Sequence, residues 1–189
     1  MEVSDLNIIK EYEKNNRKGL ELIYDRYKKY VYNIAWHYTG NKEDALDITQ
    51  EVFISVFKAM GSFKSQYSML PWVKKITVNK CLNFLRGKKE SVSLNTAGES
   101  GDELQDIIGS GNQTEETVVC RDVKKSMEEA IKKLPDRERM AILLRHMKQM
   151  KYEEIASCMK VPPGTVKTLI HNGRKSIKAD LLRQGIWEL

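Results

Sequence analysis

Cysteine and histidine are scarce in this chain. Cys81, Cys120 and Cys158 are the three cysteines, far apart and odd in number. No Cys-x-x-Cys pair or Cys/His cluster exists, which excludes zinc-finger spacing and a disulfide framework. Reduced, mostly buried thiols are expected, and they suit the cytosol. His37, His146 and His171 are isolated from one another. With no nucleophile–base arrangement, no P-loop and no Gly-x-Gly-x-x-Gly, the sequence opposes an enzyme and offers no catalytic residue, no metal ligand and no cofactor. No apolar run approaches the roughly 18 residues of a membrane span, so no membrane insertion is expected. The opening MEVSDLNIIKEYEK lacks a basic segment followed by an apolar run, the pattern of a signal peptide.

Positive charge is also absent from one stretch. Residues 90–120 hold no Lys or Arg and seven acids, net −7. Residues 1–89 carry 16 Lys/Arg against 10 Asp/Glu, and residues 121–189 carry 16 against 9. Two basic blocks joined by an acidic strap, net +6 for the 189 residues, favour an anionic partner. The strap is rich in Gly, Ser, Thr and Asn and breaks every periodicity, so it reads as a flexible linker. The expected organisation is all-α. It has an N-terminal helical domain over 1–89, an acidic linker over 90–117 and a C-terminal helix-turn-helix domain over 118–189.

Helical spacing runs through both blocks. A short helix over 4–16 is expected with Ser4 as its cap. Leu20, Ile23, Tyr27, Val31, Ile34 and Tyr38 then fall at three- and four-residue steps, and Gly40 fits a left-handed helix end. Asn41 caps the next helix, whose inner face is Ala45, Ile48, Val52, Val56 (or Phe57) and Met60. Its second face carries Asp44, Asp47, Gln50, Glu51 and Ser55. From charge pattern alone, that face is either a solvated surface or a dock for a positive partner. A loop over 61–68 holds Phe63 and Tyr67 beside Lys64; these aromatics either stack on unpaired bases or tuck into the core. Pro71 is expected as a first helical residue of a helix ending near Arg86. Lys74, Lys75, Asn79, Lys80, Asn83 and Arg86, followed by Lys88 and Lys89, make it a candidate for tracking a nucleic-acid backbone.

In the second block, Val119, Val123, Met127, Ala130, Ile131 and Leu134 share a helix face. Asp136 is expected to cap the next helix, with Met147 among its core residues. Lys151 to Leu182 then reads as two helices around Val161-Pro162-Pro163-Gly164, with Thr165 as the second N-cap. The second helix packs Val166, Leu169, Ile170, Ile177 and Leu181. It leaves Lys167, Thr168, His171, Asn172, Arg174, Lys175 and Lys178 on its other faces. Such a layout suits a major-groove reader, and an ordinary helical hairpin with a basic solvated face is the plainer alternative.

Taken in order, these motifs resemble a bacterial RNA polymerase sigma factor of the extracytoplasmic-function (ECF) subgroup of the sigma-70 family. The first carrying block is Asp44-Ala45-Leu46-Asp47-Ile48-Thr49-Gln50-Glu51-Val52-Phe53, Ser62-Phe63, and Pro71-Trp72-Val73-Lys74-Lys75-Ile76-Thr77-Val78-Asn79. The second is Leu134-Pro135, Tyr152-Glu153-Glu154-Ile155-Ala156, Pro163-Gly164-Thr165-Val166-Lys167, His171 and Arg174-Lys175.

The resemblance implies that Asp44, Asp47, Gln50 and Glu51 meet the clamp helices of the polymerase β′ subunit. It implies that Phe63, Lys64, Trp72, Lys75, Asn79 and Arg86 take the −10 element, with one base flipped from the single strand. Lys167, Thr168, His171, Asn172, Arg174 and Lys175 would read the −35 element as duplex. The implied partners are core RNA polymerase (β′ clamp helices and β flap), promoter DNA and an anti-sigma factor, for a cytoplasmic protein that is a monomer when free. The alternative from another class is an autonomous helix-turn-helix regulator. Where the family often has Gly, this chain has Lys160, so a strained or differently set turn is expected there. Gly173 replaces a more common Ala, Leu169 and Asn172 replace basic residues, and Met69, Leu70 and Asn83 replace a frequent Phe, Arg and Asp.

Overall fold

The structure is a computed structural model. It describes residues 4–63, 68–92 and 115–186, with side chains for all of these except 88–92 and 115–122. Most of the acidic linker, together with Lys64 and Tyr67, lies outside the described residues. The described residues form eight α-helices and no strand: α1 Asp5–Lys14, α2 Asn16–Thr39, α3 Lys42–Ala59, α4 Met69–Val92, α5 Glu115–Lys132, α6 Asp136–His146, α7 Tyr152–Met159 and α8 Pro163–Arg183. A single 3-10 turn, Met60–Ser62, follows α3.

The starts of α1, α2 and α3 follow local side-chain chemistry. Ser4 accepts the amide of Asn7 at 3.3 Å, and Asn41 accepts that of Asp44 at 3.0 Å. Each satisfies a donor that the first helical turn cannot. Between α1 and α2 only Asn15 is non-helical, and its side chain accepts the amide of Lys18 at 3.1 Å. Gly40 ends α2 at φ +69°, the left-handed conformation that glycine adopts without a Cβ penalty.

The three- and four-residue spacing sets the core. On α2, Ile23, Tyr27, Val31, Ile34 and Tyr38 are buried; on α3, Ala45, Ile48, Val52 and Val56; on α4, Val73, Val78, Cys81 and Leu82. Cys81 and Cys158, the cysteines whose side chains are described, are free and buried, and burial pushes the Cys81 thiol up to about 12.

Several expected ends are corrected. Helix α4 begins at Met69, so Pro71 is its third residue. It also runs to Val92 rather than stopping at Arg86, because Gly87 weakens a helix without terminating it. Helix α6 starts at Asp136 itself, after Pro135. Pro163 leads α8 and Pro162 flanks it, which places Thr165 inside the first turn rather than at the cap. A proline at the first helical position loses nothing by lacking an N–H. Val123 and Met147, expected in the core, are instead 40% and 44% exposed.

In the second half α8 lies across α5, α6 and α7. At Gly173 a Cβ would stand 2.9 Å from Ile142 Cγ1. The halves also touch: α6 packs on α2 and α4, and α7 packs on α4. There the Arg139 guanidinium donates to the Tyr38 carbonyl at 3.0 Å and lies 5.8 Å from the Tyr38 ring centroid. The same guanidinium donates to the carbonyls of Lys132 and Leu134. Nearby, the Tyr30 ring has Lys74 Nζ at 5.9 Å and Lys148 Nζ at 5.1 Å from its centroid.

Candidate nucleic-acid interface

Helix α3 turns its acidic face outward because Ala45, Ile48, Val52 and Val56 on the opposite side are buried. Asp47, Gln50 and Glu51 are exposed and Asp44 is half-buried. Leu46 and Ile54 extend this surface with apolar groups at 44% and 52% exposure. Glu51 accepts an ion pair from Lys80 of α4 at 3.1 Å. Exposed pairs of this kind contribute on the order of 0–1 kcal/mol, so Glu51 remains available to a partner. No local pattern announces the pair, since its members are 29 residues apart.

The second group sits at the start of α4. Phe63, after the 3-10 turn, packs its ring 4.9 Å from that of Trp72 at an angle of 42°. Both are half-buried, so the pair lies at the surface with one side open. Phe63 thus tucks partly against Trp72, and Tyr67 lies outside the described residues. Lys75 and Arg86 are exposed along the same helix. Asn79 is half-buried, and its amide donates to the Lys75 carbonyl at 2.7 Å, one turn back. Lys74 does not project freely: it is half-buried beside Tyr30.

The sequence did not point to Asp5. Its carboxylate accepts the Tyr27 hydroxyl at 2.7 Å, the Met69 amide at 2.9 Å and the Ser68 hydroxyl at 3.2 Å, and pairs with Arg26 at 3.0 Å. Burial acts to raise its pKa. The hydrogen bonds from Tyr27, Met69 and Ser68 and the charge of Arg26 outweigh burial and hold the carboxyl below its ordinary 3.8.

The third group lies on α8. Lys167, Thr168, His171, Asn172, Arg174 and Lys175 are all exposed, while Val166, Ile170, Gly173, Ile177 and Leu181 are buried against the other helices. The Thr168 hydroxyl donates to the Gly164 carbonyl at 3.2 Å within its own helix. Arg174 Nε donates to His146 Nε2 at 3.3 Å, which requires the neutral imidazole with its proton on Nδ1. Burial, then the charges of Arg174 and Arg145, push the His146 pKa down and favour that neutral form. The three groups thus occupy separate faces, an acidic one on α3 and two basic ones on α4 and α8. Among the described residues, no cluster of His, Cys, Asp and Glu could hold a metal ion, and no helix is long and apolar enough to cross a membrane.

Residues 23–91 match the family description Sigma-70 region 2, and residues 124–177 match Sigma-70, region 4. The chain is 31% identical over 184 residues to the ECF RNA polymerase sigma factor SigW of Bacillus subtilis, covering 96% of this chain and 98% of that protein. It is 30% identical over 183 residues to the ECF RNA polymerase sigma-E factor of Escherichia coli K12, covering 93% of each. Its fold is similar to that of CnrH solved in complex with the cytosolic domain of CnrY. There the TM-score is 0.63 at 16% identity, over 94% of this chain and 96% of that one. The Bartonella quintana sigma factor RpoE, solved with the anti-sigma factor NepR, gives the same TM-score of 0.63 at 19% identity over 81% and 90%. With both regions matched in order and relatives covered over nearly their whole length, the chain belongs to the ECF sigma factors of the sigma-70 family, which direct transcription initiation.

Proposed function

We propose that each of the three faces serves one contact of a polymerase holoenzyme. Asp44, Asp47, Gln50 and Glu51 dock on the β′ clamp helices of core RNA polymerase. Phe63, Lys64, Trp72, Lys75, Asn79 and Arg86 take the single-stranded −10 element. Lys167, Thr168, His171, Asn172, Arg174 and Lys175 read the −35 duplex, and the C-terminal half also contacts the β flap. The observation that carries this reading is the exposure of all six α8 side chains on a helix whose opposite face is buried.

The chemistry fits each role. Lys and Arg meet phosphates, and Lys, Thr and Asn also reach base edges in the major groove. A flipped base costs a few kcal/mol of stacking, which an aromatic wall such as Phe63 and Trp72 offsets. The protein itself performs no catalytic step; polymerase supplies the active site. Its place is the cytoplasm, where polymerase works. The acidic linker over 90–117 occupies a basic channel of the polymerase. An anti-sigma factor is assigned as a partner because a relative of the same fold was solved with one. An autonomous regulator is disfavoured because it leaves the region-2 match over 23–91 without a role.

The test is co-purification with core RNA polymerase from the source cells, followed by run-off transcription on sheared genomic DNA. Discrete transcripts that require this protein are expected, with both promoter elements upstream of their starts. Binding to DNA without binding to polymerase would overturn the assignment.

A further inference from the structure

Helix α4 carries Trp72 in its first turn. The hydroxyl of the residue before it, Ser68, donates to Asp5 Oδ2 at 3.2 Å. The first amide of the helix, Met69 N–H, goes to the same oxygen at 2.9 Å. An acceptor for the first of the amides that the helix cannot satisfy itself therefore arrives from α1, 64 residues earlier in the chain. Its negative charge also sits where the helix dipole is positive.

The carboxylate is itself tightly placed. Oδ1 accepts from Tyr27 at 2.7 Å and pairs with Arg26 at 3.0 Å, both on α2, and the Asp5 side chain is 19% exposed. One group thus joins α1, α2 and the start of α4. Met69 is fully buried, so the first turn of α4 is anchored on its inner side as well. Trp72 stands three residues beyond the capped amide, 4.9 Å from Phe63.

We infer that Asp5 is a positioning residue for −10 recognition: by capping α4 from outside, it fixes the turn that holds Trp72 against Phe63. The inference rests on the proposed role of that aromatic pair. Asp5 touches no DNA and acts only through the first turn of α4. Loss of an N-cap acceptor weakens a helix start enough to change populations about tenfold. The loosened turn lets Trp72 leave the wall when a base must be captured. Asparagine, an equally good N-cap, keeps an acceptor for Met69.

The experiment uses holoenzyme and a promoter identified by run-off transcription, on duplex template and on the same template with a pre-melted −10 bubble. Asp5→Ala, Asp5→Asn and Trp72→Ala are compared for core polymerase affinity and for open-complex formation by permanganate reactivity. For Asp5→Ala, open complex on duplex is expected to fall about tenfold, roughly the effect of a lost cap. It should recover on the bubble, with core affinity unchanged. Asp5→Asn should stay near wild type, and Trp72→Ala should show the same duplex defect. Equal loss on both templates, or a parallel loss of core affinity, would overturn the inference by showing a general folding role. A defect in Trp72→Ala but not Asp5→Ala would overturn it while leaving the aromatic wall in place. A normal Trp72→Ala would sink the wall and the inference together.

Discussion

Lys160 and Gln149 hold backbone conformations that their side chains disfavour. They stand at φ +54° and φ +51°, in the turns that flank α7. A non-glycine residue in the left-handed region costs roughly 1–2 kcal/mol. The turn therefore keeps the geometry a glycine would have, and Lys160 bears the strain. Lys160→Gly is expected to stabilise the protein by about 1 kcal/mol, allowing for the extra freedom of unfolded glycine, as read by thermal unfolding. Gly173 has the opposite logic. Alanine favours a helix by up to about 1 kcal/mol, so propensity alone predicts a gain. A Cβ at that position would stand 2.9 Å from Ile142 Cγ1 in a buried contact, and overpacking costs about 1–3 kcal/mol. Gly173→Ala should lower stability by about 1 kcal/mol, measured by denaturant unfolding. The Lys160 position was expected from the family resemblance, because relatives often have Gly there. The reason for Gly173 was not, because Ile142 lies on another helix.

At the scale of the element, faces were legible and ends were not. A period of 3.6 residues sorts apolar from polar positions within one helix, so the buried face of α3 and the exposed set on α8 follow from the sequence alone. Ends depend on what satisfies the first free amides. Proline restricts its own φ and the residue before it without deciding which residue leads the helix, and Thr165 and Asp136 were misplaced for that reason. At α4 the satisfying group comes from α1, beyond the reach of any local pattern. The exposed faces give a paired prediction. Asp47→Lys with Glu51→Lys should lower core polymerase affinity at least about tenfold by placing like charge against a basic surface, while circular dichroism stays unchanged. Lys167→Ala with Arg174→Ala should keep polymerase affinity but weaken transcription from promoters that depend on the −35 element. It should also reduce the salt dependence of duplex binding by about two phosphate contacts. A polymerase-binding defect in the α8 variant would refute the division of labour.

At the scale of the molecule, the contact between halves concentrates imperfect partners. The buried polar side-chain atoms left without a hydrogen bond among the described residues are Tyr30 Oη, Tyr38 Oη and Arg139 Nε, all on side chains of this contact. Each such group costs about 1–3 kcal/mol. Burial pushes the Lys148 pKa down, and Lys74 on the same Tyr30 ring adds to it. His37, also on α2, is pushed below its ordinary 6.5 by burial, then by Lys148 and Lys124, against the opposing pull of Glu128. The folded protein therefore holds His37 neutral, and the unfolded chain takes up its proton first. Stability should be level above about pH 6.5 and fall as pH drops from there toward the lowered value, with His146 adding in the same direction. Asp5 adds a loss only below its ordinary 3.8, where the unfolded chain binds a proton that the folded carboxylate refuses. Thermal unfolding at pH 7.5 and 5.5 should show the first loss, and His37→Gln should flatten it; an unchanged slope would exclude His37 as its source.

Arg139 and the seating of α7 on α4 have a further consequence, because both halves belong to one chain. Tethering makes their meeting a unimolecular event, at an effective concentration on the order of millimolar. A contact too weak to hold two separate molecules together is then closed for much of the time. Any ligand that requires the halves apart meets a receptor only fractionally competent, and its apparent Kd rises by the inverse of that fraction. For such a ligand, a substitution that weakens the contact, at Arg139 for example, would raise that fraction without touching the ligand.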